Sequence, residues 1–275
     1  MAKTKVLITV TTYPLPSRSY DELVCTAGVL ENGDWIRIYP VPLKFLLGFK
    51  DNGKLTSFKY HWLEMDLQKR SDDFRPESHS PLNNNFENIN ILRRIDTKNN
   101  WAVRKMYCLK NVYTNKKKLL SDSEAPKNIS LVTFRPTKIT SFEIESDDRE
   151  WKNEWKELRK LGDLFDQDKS PEIQIRKLPY KFFYNFIDDE GVASRLMIED
   201  WEIGALYWNC LKMAEGNETI ALEKVRQQYE QEFLMKKDIY LFLGTTKEWH
   251  QRRGKNPFVI IGVFYPKFNP QLSLF

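Results

Sequence analysis

Between residues 244 and 257 the sequence gathers Lys247, Trp249, His250, Arg252, Arg253 and Lys255 into one short stretch. Cations attract phosphate, and aromatic rings offer faces on which bases stack. A solvated hairpin loop would carry the same residues. A second nucleic-acid candidate is Arg37, in Trp35-Ile36-Arg37-Ile38-Tyr39. Strand alternation sets Trp35, Arg37 and Tyr39 on one face. That face suits a base or nucleotide, or an arginine lying along aromatic rings. A third group is acidic: Glu199, Asp200 and Glu202 at a strand-to-helix junction. Carboxylates there are stabilised by the helix dipole. The alternative chemistry is metal-dependent cleavage of nucleic acid, with Glu172 as a further carboxylate and magnesium as the ion.

Other chemistries find no foothold. The sequence has no phosphate-binding GxxxxGK[ST] loop, no GxGxxG and no HExxH, which disfavours ATP, dinucleotide and zinc-peptidase chemistry. Cys25, Cys108 and Cys210 lie far apart, without CxxC spacing, and read as reduced, mostly buried thiols rather than a zinc ribbon. A nucleophilic Cys25 would need a base beside it, and the sequence supplies none. His61, His79 and His250 are each isolated, so no histidine metal site is expected.

The last five residues, Gln271, Leu272, Ser273, Leu274 and Phe275, follow Pro266-Lys267-Phe268-Asn269-Pro270. Two prolines and an asparagine do not extend a sheet, so the segment is expected to leave the body. Its pattern resembles the pentapeptide by which bacterial DNA polymerases, mismatch-repair proteins and other replication partners bind the DNA sliding clamp. The resemblance covers these five residues only. It implies that Leu274 and Phe275 anchor in a deep pocket, that Leu272 packs at its edge, that Gln271 sets register by hydrogen bonding and that Ser273 is a spacer. Short extended segments bind in this way, through a few apolar anchors in preformed pockets. The same apolar residues could instead tuck back onto the protein's own surface.

The elements that must position these groups can be read from pattern. Residues 5–12 form a β-branched run and predict a buried strand. Val24–Leu30 and Trp35–Tyr39 flank Glu31-Asn32-Gly33-Asp34, a hairpin signal. Tyr60–Leu67 predicts a further strand, and residues 70–90 a long polar loop. Asn100 is expected to cap a helix from Trp101 to about Lys110, and Thr114 a second over Lys116–Leu120. Ser130–Phe134 and Lys138–Glu145 predict two strands. Glu150–Lys160 predicts a helix whose apolar face carries Trp151, Trp155 and Leu158. Residues 162–172 are the expected linker.

Tyr180–Ile187 and Val192–Ile198 predict a hairpin around Asp188-Asp189-Glu190-Gly191, then helices over Trp201–Met213 and from Asn217 to about Lys236. Asp238–Leu243 and Phe258–Tyr265 predict two apolar strands, with residues 244–257 as a long basic loop between them. Hairpins with helices inserted in groups argue for an α+β fold, mainly antiparallel. The expected division is a β-rich domain over 1–161, an α+β domain over 173–265 and a tail over 266–275.

The strand–Gly-Thr–basic loop–strand arrangement faintly resembles small β-barrel modules that read modified bases, the PUA and ASCH-like domains. Asp200-Trp201-Glu202 and the runs Phe242–Thr245 and Ile260–Phe264 resemble an uncharacterised prokaryotic family that brings no function with it. The net charge is +5 over 275 residues, a mild excess compatible with phosphate contacts. No apolar run is long enough to cross a membrane, and Met1–Lys5 shows no signal-peptide pattern, so a cytoplasmic location is expected.

Together these readings predict a DNA-associated protein, recruited to replicating DNA by the bacterial sliding clamp and acting in repair, replication control or antiphage defence. The alternatives are a metal-dependent nuclease or other DNA-modifying enzyme, and a non-enzymatic protein that occupies the clamp.

Overall fold

The computed structural model describes residues 3–12, 15–16, 22–42, 50–51, 54–55, 58–84, 88–151, 176–252, 254 and 256–268. The described elements before residue 95 are, apart from a 3-10 turn over Leu82–Asn84, all strands: β1 (Thr4–Thr11), β2 (Leu15–Pro16), β3 (Glu22–Leu30), β4 (Trp35–Pro42), β5 (Lys50–Asp51), β6 (Lys54–Leu55), β7 (His61–Met65), β8 (Leu67–Lys69), β9 (Ser78–Pro81) and β10 (Asn90–Arg94). Helix α1 (Lys98–Cys108) closes it. There follow β11 (Val112–Tyr113), α2 (Lys116–Asp122), β12 (Leu131–Phe134), β13 (Lys138–Ser146), β14 (Tyr180–Ile187) and β15 (Ala193–Met197). Helices α3 (Trp201–Met213), α4 (Glu218–Arg226) and α5 (Phe233–Lys236) come next, α4 and α5 being joined by a π-helical stretch over Gln227–Glu232. The last elements are β16 (Tyr240–Thr245), α6 (Lys247–Arg252) and β17 (Phe258–Phe264).

The strands form three main sheets. The first runs β10-β7-β1-β3-β4-β9-β8, with β2 on β3; the second runs β11-β12-β16-β17, and the third β13-β14-β15. Among the described strands, β4·β9 and β11·β12 pair in parallel and the other pairs are antiparallel. The expected α+β class, mainly antiparallel, describes the fold. Strands β12 and β13 hydrogen-bond to β16 and β14, so residues 131–146 share their sheets with residues 180–264.

The second sheet is the central layer. Leu131, Phe242, Ile261 and Phe264 turn to the first sheet, where they meet Leu7, Val10, Ala27 and Val29. Their neighbours Val132, Phe134, Leu241, Leu243 and Ile260 turn the other way. There they meet Phe142, Phe182 and Tyr184 of the third sheet, and Ile203, Tyr207 and Val225 of α3 and α4. A strand buried on both faces reads as a continuous apolar run, which is why β16 and β17 show no polar alternation. The same holds for β1. Val6 and Ile8 face a core with Ile36, Ile38 and Leu63. Val10 nevertheless joins the face of Leu7, because a bulge between Ile8 and Val10 shifts the alternation by one residue.

Both hairpins are set by their turn residues. Gly33 adopts φ 89° and the Asn32 side chain accepts from the Asp34 N–H at 3.0 Å. In the other turn Gly191 adopts φ 76°, and the Asp188 carboxylate accepts from the N–H groups of Glu190 and Val192 at 3.0 and 2.7 Å.

Several local expectations are corrected. Asn115, not Thr114, caps α2, accepting from the Lys118 N–H at 2.9 Å. Thr114 donates instead to Asp189 at 2.7 Å. Asn100 does not cap α1, which starts at Lys98; its amide brackets the backbone of Lys267 (N–H to Oδ1 2.6 Å, Nδ2 to carbonyl 2.8 Å). The polar segment 70–90 contains β9 and the start of β10. The basic loop is largely ordered structure: Thr245 ends β16 and residues 247–252 form α6. The Thr246 hydroxyl accepts from the Trp249 N–H at 3.2 Å, and Glu248 pairs with Arg252 one turn later at 2.6 Å. The helix expected over 150–160 and the linker over 162–172 lie, beyond Trp151, outside the described residues. No helix among the described residues is long and apolar enough to cross a membrane.

Candidate nucleic-acid interface

The loop between β8 and β9, residues 70–77, is held by its own charges. Lys69 donates to the carbonyls of Asp73, Arg75 and Ser78 at 3.1, 2.6 and 3.1 Å, which engages all three of its N–H groups. Asp73 grips Arg75 through Nε at 2.9 Å and a terminal nitrogen at 2.6 Å, a charge-assisted fork. Burial would raise the Asp73 carboxyl, but the bonds from Arg75 and Ser78 outweigh it and hold it well below the usual carboxylate range. Arg75 also donates to the carbonyl of Thr245 at 2.6 Å. Arg70 forks onto Asp72 at 3.0 and 2.7 Å and reaches the carbonyl of Tyr39 at 2.9 Å. Lys247 of α6 closes the arrangement on the Asp72 carbonyl.

Beneath the loop, Glu77 accepts from the N–H and hydroxyl of Ser130 at 2.8 and 2.7 Å. Arg37 lies alongside, 3% exposed, and donates to Ser78, Ser130 and the Thr245 carbonyl at 2.9–3.4 Å. Strand alternation does put Arg37 and Trp35 on one face, with Ile36 and Ile38 on the other, but that face is covered by the second sheet. Arg37 therefore joins two sheets and does not meet a ligand from solvent, which corrects the sequence reading. Burial lowers its pKa.

Together with the end of β4, the loop and α6 present three aromatic rings outward among charged side chains. Tyr39, Phe74 and Trp249 are 36%, 41% and 55% exposed. Arg70 lies over Tyr39 at 5.3 Å and Arg252 over Trp249 at 5.7 Å. Phe74 meets His250 edge-on, with centroids 5.2 Å apart. His250 is 6% exposed, and its Nδ1 pairs with the Thr245 hydroxyl at 2.9 Å. Burial lowers its pKa, with the nearby Ser123 carbonyl pulling the other way. It lies beneath the surface and not in the exposed basic loop where the sequence reading placed it. Of the residues predicted in the basic loop, the structure brings Lys247, Trp249 and Arg252 to this surface; Arg253 and Lys255 lie outside the described residues.

A cavity of about 460 Å³ opens beside Phe74 and His250, between α2 and α6, with Leu120, Glu124, Asn128 and Gln251 in its lining. Phe74 and this cavity were missed by sequence reading. The available signal was a lone phenylalanine among alternating charges in Asp72-Asp73-Phe74-Arg75-Pro76-Glu77.

The acidic group sits elsewhere. Asp200 is 1% exposed and caps α3, accepting from the Glu202 N–H at 3.1 Å. Lys59 of the first half lies 2.6 Å from Glu202 and 3.6 Å from Asp200. Burial pushes the Asp200 carboxyl up to about 6, against the pull of Lys59, and burial also raises Glu199. Asp200 and Glu202 thus tie α3 to Lys59. Among the described residues no three His, Cys, Asp or Glu side chains converge to hold a metal ion. Glu172 lies outside the described residues. The three thiols are unpaired; Cys108 and Cys210 are buried and Cys25 half-buried.

Residues Gln271, Leu272, Ser273, Leu274 and Phe275 lie outside the described residues. The chain leading to them is fixed as far as Lys267 by Asn100 and by a bridge to Lys237. Phe268, 61% exposed, borders a second cavity of about 620 Å³ lined by Arg135, Lys138, Leu234 and Lys237.

Residues 2–110 match a family model described as Domain of unknown function (DUF8758), and residues 112–275 one described as Domain of unknown function (DUF8757). The two meet between α1 and β11. No curated protein matches the chain. Among solved structures, a murine DNA-binding protein bound to double-stranded DNA is similar over 98% of this chain and 96% of its own, at 8% identity and a TM-score of 0.30.

Proposed function

The chain belongs to the family described as Domain of unknown function (DUF8757), whose model spans residues 112–275, and from that premise we propose that it is a DNA-associated protein recruited to replicating DNA by the bacterial sliding clamp. The observation that carries the reading is the pentapeptide Gln271-Leu272-Ser273-Leu274-Phe275, every position of which fits the clamp-binding pattern. Two features of the body support it. The chain is pinned to the surface at Lys267, so the segment beyond starts from a defined point. The surface bearing Tyr39, Phe74, Trp249, Arg70, Lys247 and Arg252 interleaves rings with cations, the composition that tracks a single strand by stacking and phosphate attraction. Repair, replication control and antiphage defence are the processes in which such a protein would act.

The test is a pull-down of the intact protein with purified clamp, beside a chain lacking Gln271–Phe275 and the double variant Leu274→Ala/Phe275→Ala. Wild type is retained and both variants are lost. Equal retention of all three would sink clamp recruitment. A second measurement separates this reading from a protein that merely occupies the clamp. DNA affinity that falls with salt indicates phosphate contacts, whereas clamp-dependent synthesis inhibited by a chain with no DNA affinity favours occupation.

A further inference from the structure

We infer that the cavity beside Phe74 and His250 is a pocket for a single unstacked nucleobase, filled when the protein holds a single strand. The inference rests on reading this surface as nucleic-acid-facing, and it adds what the surface selects.

The lining chemistry decides the ligand class. One wall is the Phe74 ring, with Leu120 and Pro257 adding apolar surface. The remaining groups are short polar arms: Glu124 accepts, while Asn128 and Gln251 both donate and accept. Among the described residues no lysine or arginine lines the cavity, and Glu124 brings a carboxylate. That carboxylate opposes a phosphate. A flat, uncharged ring with donors and acceptors around its edge finds both a stacking face and hydrogen-bonding arms. A volume of about 460 Å³ is ample for one base and lies within the usual range for small-ligand sites. The cations that phosphates would meet, Lys247 and Arg252, sit outside on α6.

The stacking face is also pre-positioned. Phe74 is exposed, and exposed phenylalanines are ordinarily free to move. Here its two chain neighbours are both fixed: Asp73 and Arg75 bind each other in a fork, and both their carbonyls accept from Lys69. His250 stands behind the ring at 5.2 Å, tethered by Thr245. A ring held in this way loses little freedom when a base stacks on it. A base paired within a duplex cannot reach the cavity, so the ligand is an unpaired or extruded nucleotide.

The test uses a 12-nucleotide single strand containing 2-aminopurine, as DNA and as RNA, together with the DNA duplex of the same sequence. Anisotropy reports strand binding, and 2-aminopurine emission, which rises when the base leaves its neighbours, reports entry to the pocket. Phe74→Ala removes the stack and Phe74→Trp keeps it. Gln251→Trp plugs the mouth from an exposed position. Circular dichroism confirms that each variant is folded. The expected result is single-strand binding with an emission rise. That binding weakens about 5- to 150-fold in Phe74→Ala, is restored in Phe74→Trp, and loses its emission change in Gln251→Trp. The tighter of DNA and RNA names the source of the base. If wild type binds the strand but Phe74→Ala and Gln251→Trp bind it equally, with the same emission, the pocket is overturned and the nucleic-acid reading stands. If wild type binds no strand, the nucleic-acid reading of this surface falls, and the pocket with it.

Discussion

Lys59 shows how much a single buried charge can do here. Its side chain is 6% exposed and reaches α3, placing its ammonium between Asp200 and Glu202. Asp200 was legible as a helix-start carboxylate because the sequence carries three acids at a strand end. Lys59 was not legible, because its partner Glu202 lies 143 residues further along the chain. Removing the lysine leaves Asp200 buried without its cation, a change that costs about 3–5 kcal/mol. Lys59→Met is therefore expected to lower the urea unfolding free energy by about that much. Asp200→Asn costs less, since an amide still caps α3. Both folded variants keep the strand affinity of wild type, since neither residue touches the aromatic surface. Magnesium-dependent cleavage that disappears in Asp200→Asn would overturn the structural role assigned to this pair.

Among elements, those defined by local chemistry were readable. The β3–β4 and β14–β15 hairpins carry their turns in Asn-Gly and Asp-Asp-Glu-Gly, and Asn217 caps α4 by accepting from the Ile220 N–H at 3.2 Å. The loop over 70–77 was not readable. Its burial depends on Ser130 and Thr245, which are 53 and 170 residues from Glu77 and Arg75. A run of Asp, Arg and Glu looks solvated until those partners arrive.

The start of α4 carries a testable consequence. Glu218 receives both terminal nitrogens of Arg149, at 2.6 and 2.8 Å, and the Tyr180 hydroxyl at 2.6 Å. These bonds hold its carboxyl at about 2, below its ordinary 4.5. A depressed carboxyl binds its proton less readily folded than unfolded. Its stabilisation is therefore complete above the ordinary value and is lost as pH falls toward 2. Asp147 acts in the same sense: burial would raise it, but Lys177 and Lys181 bring it to about 2. Unfolding free energies measured between about pH 5 and about pH 2 should fall with acid, and less steeply in Glu218→Gln. An unchanged slope in that variant would show that the cluster contributes nothing in solution.

At the scale of the molecule, the two halves are closed on each other by unlike means. An apolar core joins Leu7, Val10 and Val29 to Phe242 and Phe264. On one flank Arg37, Arg75 and Glu77 bond to Ser130 and Thr245; on another Lys59 pairs with α3. On this joined body the aromatic surface around Phe74 and the proposed clamp-binding segment Gln271–Phe275 are separate features. Separate features give a quantitative expectation. Deleting Gln271–Phe275 leaves affinity for a free single strand unchanged, and Phe74→Ala leaves clamp capture unchanged. On DNA already loaded with clamp, both sites engage at once, and the second contact forms at high effective concentration. Wild type should then hold the loaded DNA about 10²–10⁴-fold tighter than either variant. Competition binding on clamp-loaded and clamp-free DNA measures that ratio. A ratio near one would mean that the two features cannot reach their partners together, and that the tail and the aromatic surface serve different complexes.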